Sequence, residues 1–244
     1  MKIAFFSDVH SNFEALKAVL EDIKLYNPDK ILCLGDLVGY GASPNEVIEL
    51  IREKSITTVM GNYDEAVGFK KIVCGCDYKT EEEAMLGGIS LSWTSENIKE
   101  DNREFLKNLP RKVEFEAEGY KILAVHGSPE RTNEYLFEDT SLERFTKFFE
   151  ENHCHILLCG HTHIPYVKTI KDRFVINAGS VGKPKPEQGK NKFSNDATWV
   201  FIEIKPGELT FKIMKVPYDF EKSAGLIEER GLPKLFANLV RGIA

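Results

Sequence analysis

The chain has 244 residues, 42% hydrophobic and 29% charged, a balance that supports one large α/β domain with a sizeable core. Its formal charge of −6 argues against stable nucleic-acid binding or a membrane-surface role, though not against a local positive site. The opening MKIAFFSDVH has too few apolar residues for a signal peptide, and no stretch approaches the roughly twenty residues of a membrane helix. The expectation is a cytoplasmic protein without membrane association.

In chain order, the first third reads as a repeated strand–helix unit. KIAFFSD is an apolar run ending in Asp8. Ser11 and Glu14 predict a capping box, opening a helix whose buried stripe is Phe13, Leu16, Leu20 and Ile23. KILCLGD repeats the pattern and ends in Asp36. After the loop VGYGA, Ser43, Pro44 and Glu46 predict a second capping box with proline at the first helical position. A third strand, Ile56 to Met60, ends in GNYD. Such a βαβαβ order implies parallel, largely buried strands.

Residues 65–110 break the rhythm with two helical stretches, TEEEAMLGGISLSWTSE and KEDNREFLKNLP, and no strand between them. They read as an inserted helical cap that roofs the site, with Glu81–Glu83 as a solvated helix start. KVEFEAEGYKILAVHG then predicts a hairpin turning at Glu118 and Gly119. A helix through Leu142, Phe145, Phe148 and Phe149 follows, then the strand HILLCG and the triplet HTH. Two further hairpins are expected in IPYVKTIKDRFVINAGS and TWVFIEIKPGELTFKIMKV, the second alternating through Leu209, Phe211 and Ile213. Residues 218–244 form a C-terminal helical extension, amphipathic through Leu232, Leu235, Phe236, Leu239 and Ile243. Residues 1–244 thus read as a single α/β domain. Its expected fold is two packed mixed β-sheets flanked by helices, a four-layer αββα sandwich with a small helical cap.

Five cysteines, an odd number, include the lone CGC of Cys74 and Cys76. They read as reduced residues packed as small hydrophobes, because no second closely spaced pair completes a zinc site.

Ligands in open α/β sheets bind beyond the carboxyl ends of the strands. There the sequence places Asp8 and His10, Asp36, Asn62, His126, and His161 with His163. An Asp-x-His after one strand is weak evidence. Seven metal-competent groups on one edge, holding four of the six histidines, have no packing reason to be there. His155 precedes the strand that His161 follows, and six residues at about 3.3 Å each put them roughly 20 Å apart. His153 and His155 therefore read as structural.

The ordered motifs DVH, GD, GNYD, VHG and GHTH resemble those of the calcineurin-like metallophosphoesterases, over residues 1 to about 215. NAGSVGKPKP, GDLVGYGASPNEVI and the GLP-containing C-terminal helix resemble the small prokaryotic phosphodiesterase branch. The resemblance implies two divalent transition metals: one held by Asp8, His10 and His163, the other by Asn62, His126 and His161, with Asp36 bridging. Manganese is the first choice; iron, cobalt, nickel or zinc suit the same ligands. It further implies attack by a metal-activated hydroxide, with Asp36, Asn62, His126 and Tyr63 as candidate catalytic positions. Two metals against two carboxylates leave net positive charge, so an acidic protein can still draw in a phosphoryl group.

The family pattern is broken at Tyr63, where many relatives place a histidine that protonates the leaving group. That departure favours diesters or phosphoanhydrides, such as cyclic nucleotides or dinucleoside polyphosphates, over monoesters. A phosphoprotein phosphatase is the competing enzyme reading, and a catalytically silent scaffold, like the retromer subunit of this fold, the competing non-enzyme. The expected partner is a small phosphorylated, nucleotide-like substrate; oligomeric state is open. Tyr40 is a candidate for stacking on a base, and Lys183 and Lys185 in GKPKPEQGK are candidates for distal phosphates.

Overall fold

A computed structural model describes residues 1–78, 80–185 and 194–243; the rest of the GKPKPEQGK loop, residues 186–190, lies outside them. The chain runs β1 (Lys2–Phe6), α1 (Phe13–Tyr26), β2 (Lys30–Cys33), α2 (Pro44–Glu53), β3 (Thr57–Thr58) and α3 (Asn62–Gly68). Next come α4 (Glu81–Asn97), α5 (Glu100–Lys107), β4 (Lys112–Ala117), β5 (Tyr120–Val125), α6 (Leu142–Asn152) and β6 (Ile156–Cys159). It ends with β7 (Tyr166–Ile170), β8 (Arg173–Asn177), β9 (Ala197–Lys205), β10 (Glu208–Val216), α7 (Phe220–Glu229) and α8 (Lys234–Val240).

Two five-stranded sheets form, in the orders β10-β9-β1-β2-β3 and β4-β5-β6-β8-β7. The first is parallel from β1 through β2 to its edge at β3 and antiparallel through β9 and β10; the second has a parallel centre, β5-β6-β8, with antiparallel β4 and β7 at its edges. Period-two alternation separates three layers of core. Ile3 and Phe5 of β1, Ile202 and Ile204 of β9, and Ile156 and Leu158 of β6 meet between the sheets. Ala4, Phe6 and Trp199 face α1 and α2, while Leu157 and Cys159 face Phe145, Phe148 and Phe149 of α6. The result is the αββα sandwich expected from the sequence, its strands turning opposite faces to opposite layers. Among the described residues no helix is long and apolar enough to cross a membrane.

Neither predicted capping box forms. Helix α1 is capped by Asn12, whose side chain accepts from Ala15 N at 3.2 Å, while Ser11 stays in the preceding loop with φ +54°. Ser43 does precede Pro44 and α2, but makes no side-chain cap bond. In both places the backbone N–H that a glutamate would have met is already donated across the fold, from Ser11 to Leu37 O at 2.9 Å and from Ser43 to Ser11 O at 3.0 Å. Tertiary bonds between ligand loops displace the local motif.

The third strand is shorter than expected. Only Thr57 and Thr58 pair with β2, because Met60 N donates to Pro110 O at 2.7 Å and leaves the sheet. Leu142 is 60% exposed, so α6 packs through its phenylalanines alone. In α8 the buried face is Phe236, Ala237 and Val240; Leu235 and Ile243 point outward.

Candidate functional site

At the carboxyl edges of β1, β2 and β6 the chain leaves each strand in unusual backbone geometry. Asp8, His10, Asp36, His161 and His163 all have φ between +47° and +64°, a left-handed region that costs non-glycine residues of order 1–3 kcal/mol each. Long-range backbone bonds hold the turns: His10 N to Asp36 O at 2.9 Å, Asp8 N to Gly35 O at 3.0 Å, and Gly182 N to Asp8 O at 3.0 Å. Strain of this kind persists where surrounding contacts over-determine it, and it concentrates at functional sites.

The side chains converge in two groups. Asp8, His10 and His163 form one, and Asp36, His126 and His161 the other; within each, the ligand atoms lie within 4.8 Å of one another. The groups abut. Asp8 Oδ1 is 3.1 Å from His163 Nε2, 3.7 Å from His10 Nε2 and 3.9 Å from His126 Nε2. Asp36 Oδ2 is 3.5 Å from His126 Nε2 and 3.8 Å from His10 Nε2. Asn62 joins the second group through Oδ1, 3.1 Å from His126 Nε2.

Three imidazoles are anchored through the opposite nitrogen. Nδ1 of His10, His126 and His163 meets the carbonyls of Val38 (3.1 Å), Leu34 (2.7 Å) and Lys183 (2.6 Å). A ring donating Nδ1–H to a carbonyl turns the Nε2 lone pair inward, the arrangement by which ligating histidines are oriented. Burial, helped by neighbouring imidazoles, pushes His10 and His161 down to about 3. They are therefore neutral, as ligands must be. At His126 burial is outweighed by the Asp36 and Asp8 carboxylates, which raise it to about 10; a cation there would have to displace a proton.

Divalent metals fit this donor set. Asp8 Oδ1 and His161 Nε2 are buried atoms that make no hydrogen bond among the described residues, and such orphans at a site of carboxylate, imidazole and amide donors match first-row divalent ions. Glycine makes the close approach workable. A Cβ at Gly61 would stand 2.1 Å from Asp36 Oδ1 and 2.2 Å from Asp36 N. Because Gly61 has an ordinary φ of −85°, space rather than a sharp turn demands glycine here.

Around this centre stand residues that sequence reasoning assigned otherwise or missed. Tyr63 is 1% exposed, its ring 5.5 Å from that of His10 and its hydroxyl 3.1 Å from Tyr78 OH. Burial raises its pKa well above that of a free phenol. Asn62 Nδ2 donates to Cys74 O and Cys76 Sγ, each at 3.2 Å, so the CGC loop fixes which end of the amide faces His126. Tyr135, which carried no motif signal, lies with its ring 4.0 Å from that of His161. Asp64 accepts from Leu37 N and Gly61 N, and burial next to Asp36 pushes it up to about 7. On the Asn62 side opens a cavity of about 280 Å³ bordered by Lys71, Arg111 and Arg131.

Of the other candidates, Tyr40 touches the His10 ring edge-on at 5.2 Å. Lys183 Nζ lies 4.3 Å over the Tyr40 ring. Lys185 is exposed and its Nζ sits 5.5 Å from the Phe137 ring, away from Tyr40. His153 caps α6 and His155 Nδ1 accepts from Lys121 N at 2.9 Å; neither belongs to a ligand group among the described residues. All five cysteines are free.

Comparison with known proteins gives the geometry a family. A family model described as a calcineurin-like phosphoesterase superfamily domain matches residues 1–198. Protein MJ0912 of Methanocaldococcus jannaschii is 36% identical, over 95% of this chain and 94% of its own. Phosphodiesterase YfcE of Escherichia coli K12 is 25% identical, over 76% of this chain and 82% of its own. A metallophosphoesterase structure from Sphaerobacter thermophilus superposes with a TM-score of 0.76 at 25% identity, covering 99% of both chains. Since the family match runs from β1 through β8 and includes every strand end that contributes to the cluster, the chain belongs to the calcineurin-like phosphoesterase superfamily.

Proposed function

We propose that this metal-dependent phosphoester hydrolase acts at a binuclear centre on phosphodiesters or phosphoanhydrides of nucleotide type. The observation that carries the reading is the pair of abutting carboxylate–imidazole groups, with His161 Nε2 buried and without a hydrogen bond among the described residues and Asp8 Oδ1 facing His163, His10 and His126. In this reading Asp8, His10 and His163 would hold one ion and Asn62, His126 and His161 the other, with Asp36 available to both. Two bound divalent ions, manganese foremost, would activate water at neutral pH and offset the charge of an in-line displacement.

The chain's own residues do the rest. Asp36 is kept ionised against its burial chiefly by His126 and stands next to an imidazole of each group. Asn62, clamped by Cys74 and Cys76, presents a neutral oxygen that adds no charge. Residues 65–110 act as the cap: Tyr78 and the CGC loop close over Tyr63 and Asn62, narrowing access. Lys71, Arg111 and Arg131 stand where an anionic part of the substrate would approach, with Glu65 partly neutralising them at 2.8 Å from Lys71 and 2.6 Å from Arg111. The related YfcE is by name a phosphodiesterase, which favours diesters. Five free cysteines suit the reducing cytoplasm.

Tyr63 sets the substrate preference. Raised by burial and bonded to Tyr78, it stays protonated at neutral pH and does not cycle a proton as an imidazole near its reference value of about 6.5 would. Esters whose leaving group departs with little protonation are then favoured, namely aryl diesters and anhydrides. With the manganese-loaded protein, kcat/KM across phosphate esters of graded leaving-group pKa is expected to fall steeply, and Tyr63→His to flatten the slope. Equal slopes would remove Tyr63 from the leaving-group position; hydrolysis of no member of the series would defeat the phosphoesterase reading.

A further inference from the structure

The CGC stretch stands beside the ligand groups rather than among them. Fully extended, Cα atoms two residues apart lie about 6.6–7.2 Å from each other, at the far limit of the roughly 4.4–6.8 Å that a disulfide spans. Gly75, between Cys74 and Cys76, has a φ of +75°, and this bend draws the two together. Their thiols hydrogen-bond each other, and Cys74 Sγ also accepts from the Cys76 backbone N–H. Both cysteines reach the site. Asn62 Nδ2 donates to Cys74 O and to Cys76 Sγ at 3.2 Å each. Cys74 Sγ lies 3.1 Å from Tyr78 OH, itself 3.1 Å from Tyr63 OH.

The pair is also within reach of small solutes. Cys76 is half-buried and Gly75 exposed, and Cys74 borders the cavity on the Asn62 side. Cys33, Cys154 and Cys159, by contrast, are buried in the cores. Neither sulfur of the pair joins a carboxylate or imidazole in a ligand group among the described residues. Their own sulfur chemistry is what the arrangement offers.

We infer that Cys74 and Cys76 are an oxidation site, closed into a disulfide by hydrogen peroxide, and that closure withdraws the sulfur that holds Asn62. The metal half of this inference rests on the binuclear reading. Cys76, the more exposed thiol, attacks one peroxide oxygen; the O–O bond breaks, and the other oxygen leaves with the thiol proton as water. Cys74 then attacks the sulfur of the resulting sulfenic acid. The S–S bond forms, the S–O bond breaks, and the hydroxyl leaves with the Cys74 proton as a second water. Two thiols lose two electrons, and one peroxide gains them. A ring closed over one intervening residue is strained, and strained disulfides are readily reduced again, as a reversible device requires. Once bonded to Cys74, Cys76 Sγ no longer accepts from Asn62, whose amide loses one of the two acceptors that keep its oxygen toward His126. Loss of such a partner typically costs about 10–100-fold in metal affinity.

The test treats the metal-stripped protein with hydrogen peroxide, then catalase. Titratable thiols in the denatured chain should fall from five to three. The tryptic peptide 72–79, which holds Cys74 and Cys76 and no other cysteine, should be lighter by two hydrogens. Five remaining thiols, or a bond elsewhere, overturns the site. Manganese titration of the oxidised protein should then show one equivalent bound as before and the other about 10–100-fold more weakly. Affinity should return after dithiothreitol has reopened the bond and been removed. Closure that leaves both equivalents unchanged overturns the link to Asn62. Should the reduced protein bind no manganese, the binuclear reading fails separately. The NMR signal of the Asn62 side-chain amide then decides: a shift on closure supports the link, and an unmoved signal overturns it.

Discussion

Asp36→Asn is expected to lower occupancy at both halves of the centre together and to reduce turnover by more than the roughly 100-fold that loss of an outer hydrogen-bond partner costs a metal site. Asp36 is 1% exposed and its Oδ2 lies 3.5 Å from His126 Nε2 and 3.8 Å from His10 Nε2, one imidazole from each group. The amide is nearly isosteric and can still accept from Tyr63 N, now 2.8 Å from Oδ1. What changes is charge: of the carboxylates of the two groups, Asp8 and Asp36, one remains, and a pair of dications held as proposed would lose half the anionic charge that offsets them. Metal analysis by mass spectrometry beside a turnover assay checks this. Two equivalents retained with normal turnover would show that Asp36 does not join the two groups.

Gly61→Ala is expected to cut turnover by about two orders of magnitude, the scale on which a 1 Å misplacement at a reacting centre is felt, and to destabilise by about 1–3 kcal/mol through overpacking. The added methyl would stand 2.1 Å from Asp36 Oδ1, 2.2 Å from Asp36 N and 2.9 Å from Asp36 Cα. Two of these atoms are backbone and cannot swing aside. Gly35, with φ +91°, stands so close that a Cβ on it would lie 2.5 Å from Gly61 N, so the two loops cross glycine to glycine. Gly88→Ala is the matched control. It lies in α4 with open space at its Cβ and should be neutral or stabilising by up to about 1 kcal/mol. Kinetics and thermal melts of both variants settle the comparison; normal turnover in Gly61→Ala would mean that Asp36 tolerates displacement.

The strand ends were legible because each apolar run stops at a residue with no packing reason to be there. Asp8, Asp36 and His126 each stand just beyond a strand, β1, β2 and β5, whose residues alternate between two cores, so period and punctuation agree. Local motifs were the poor guides. Ser11 and Ser43 look like capping serines, but a capping box presumes a free backbone N–H, and both are donated across the fold. Cys74, Cys76, Tyr78 and Tyr135 come from irregular segments with no period to read, and they reach Asn62, Tyr63 and His161 only through the tertiary fold. The docking of α7 and α8 beside Ala42 and Tyr40, segments almost two hundred residues apart in the chain, was hidden for the same reason.

The most direct test of a shared two-metal centre is titration of the metal-stripped protein with manganese while hydrolysis of bis(p-nitrophenyl) phosphate is followed. Turnover should be negligible without metal, rise with added manganese and level off at two equivalents per chain. Saturation at one equivalent, or equal turnover in the stripped protein, would contradict it.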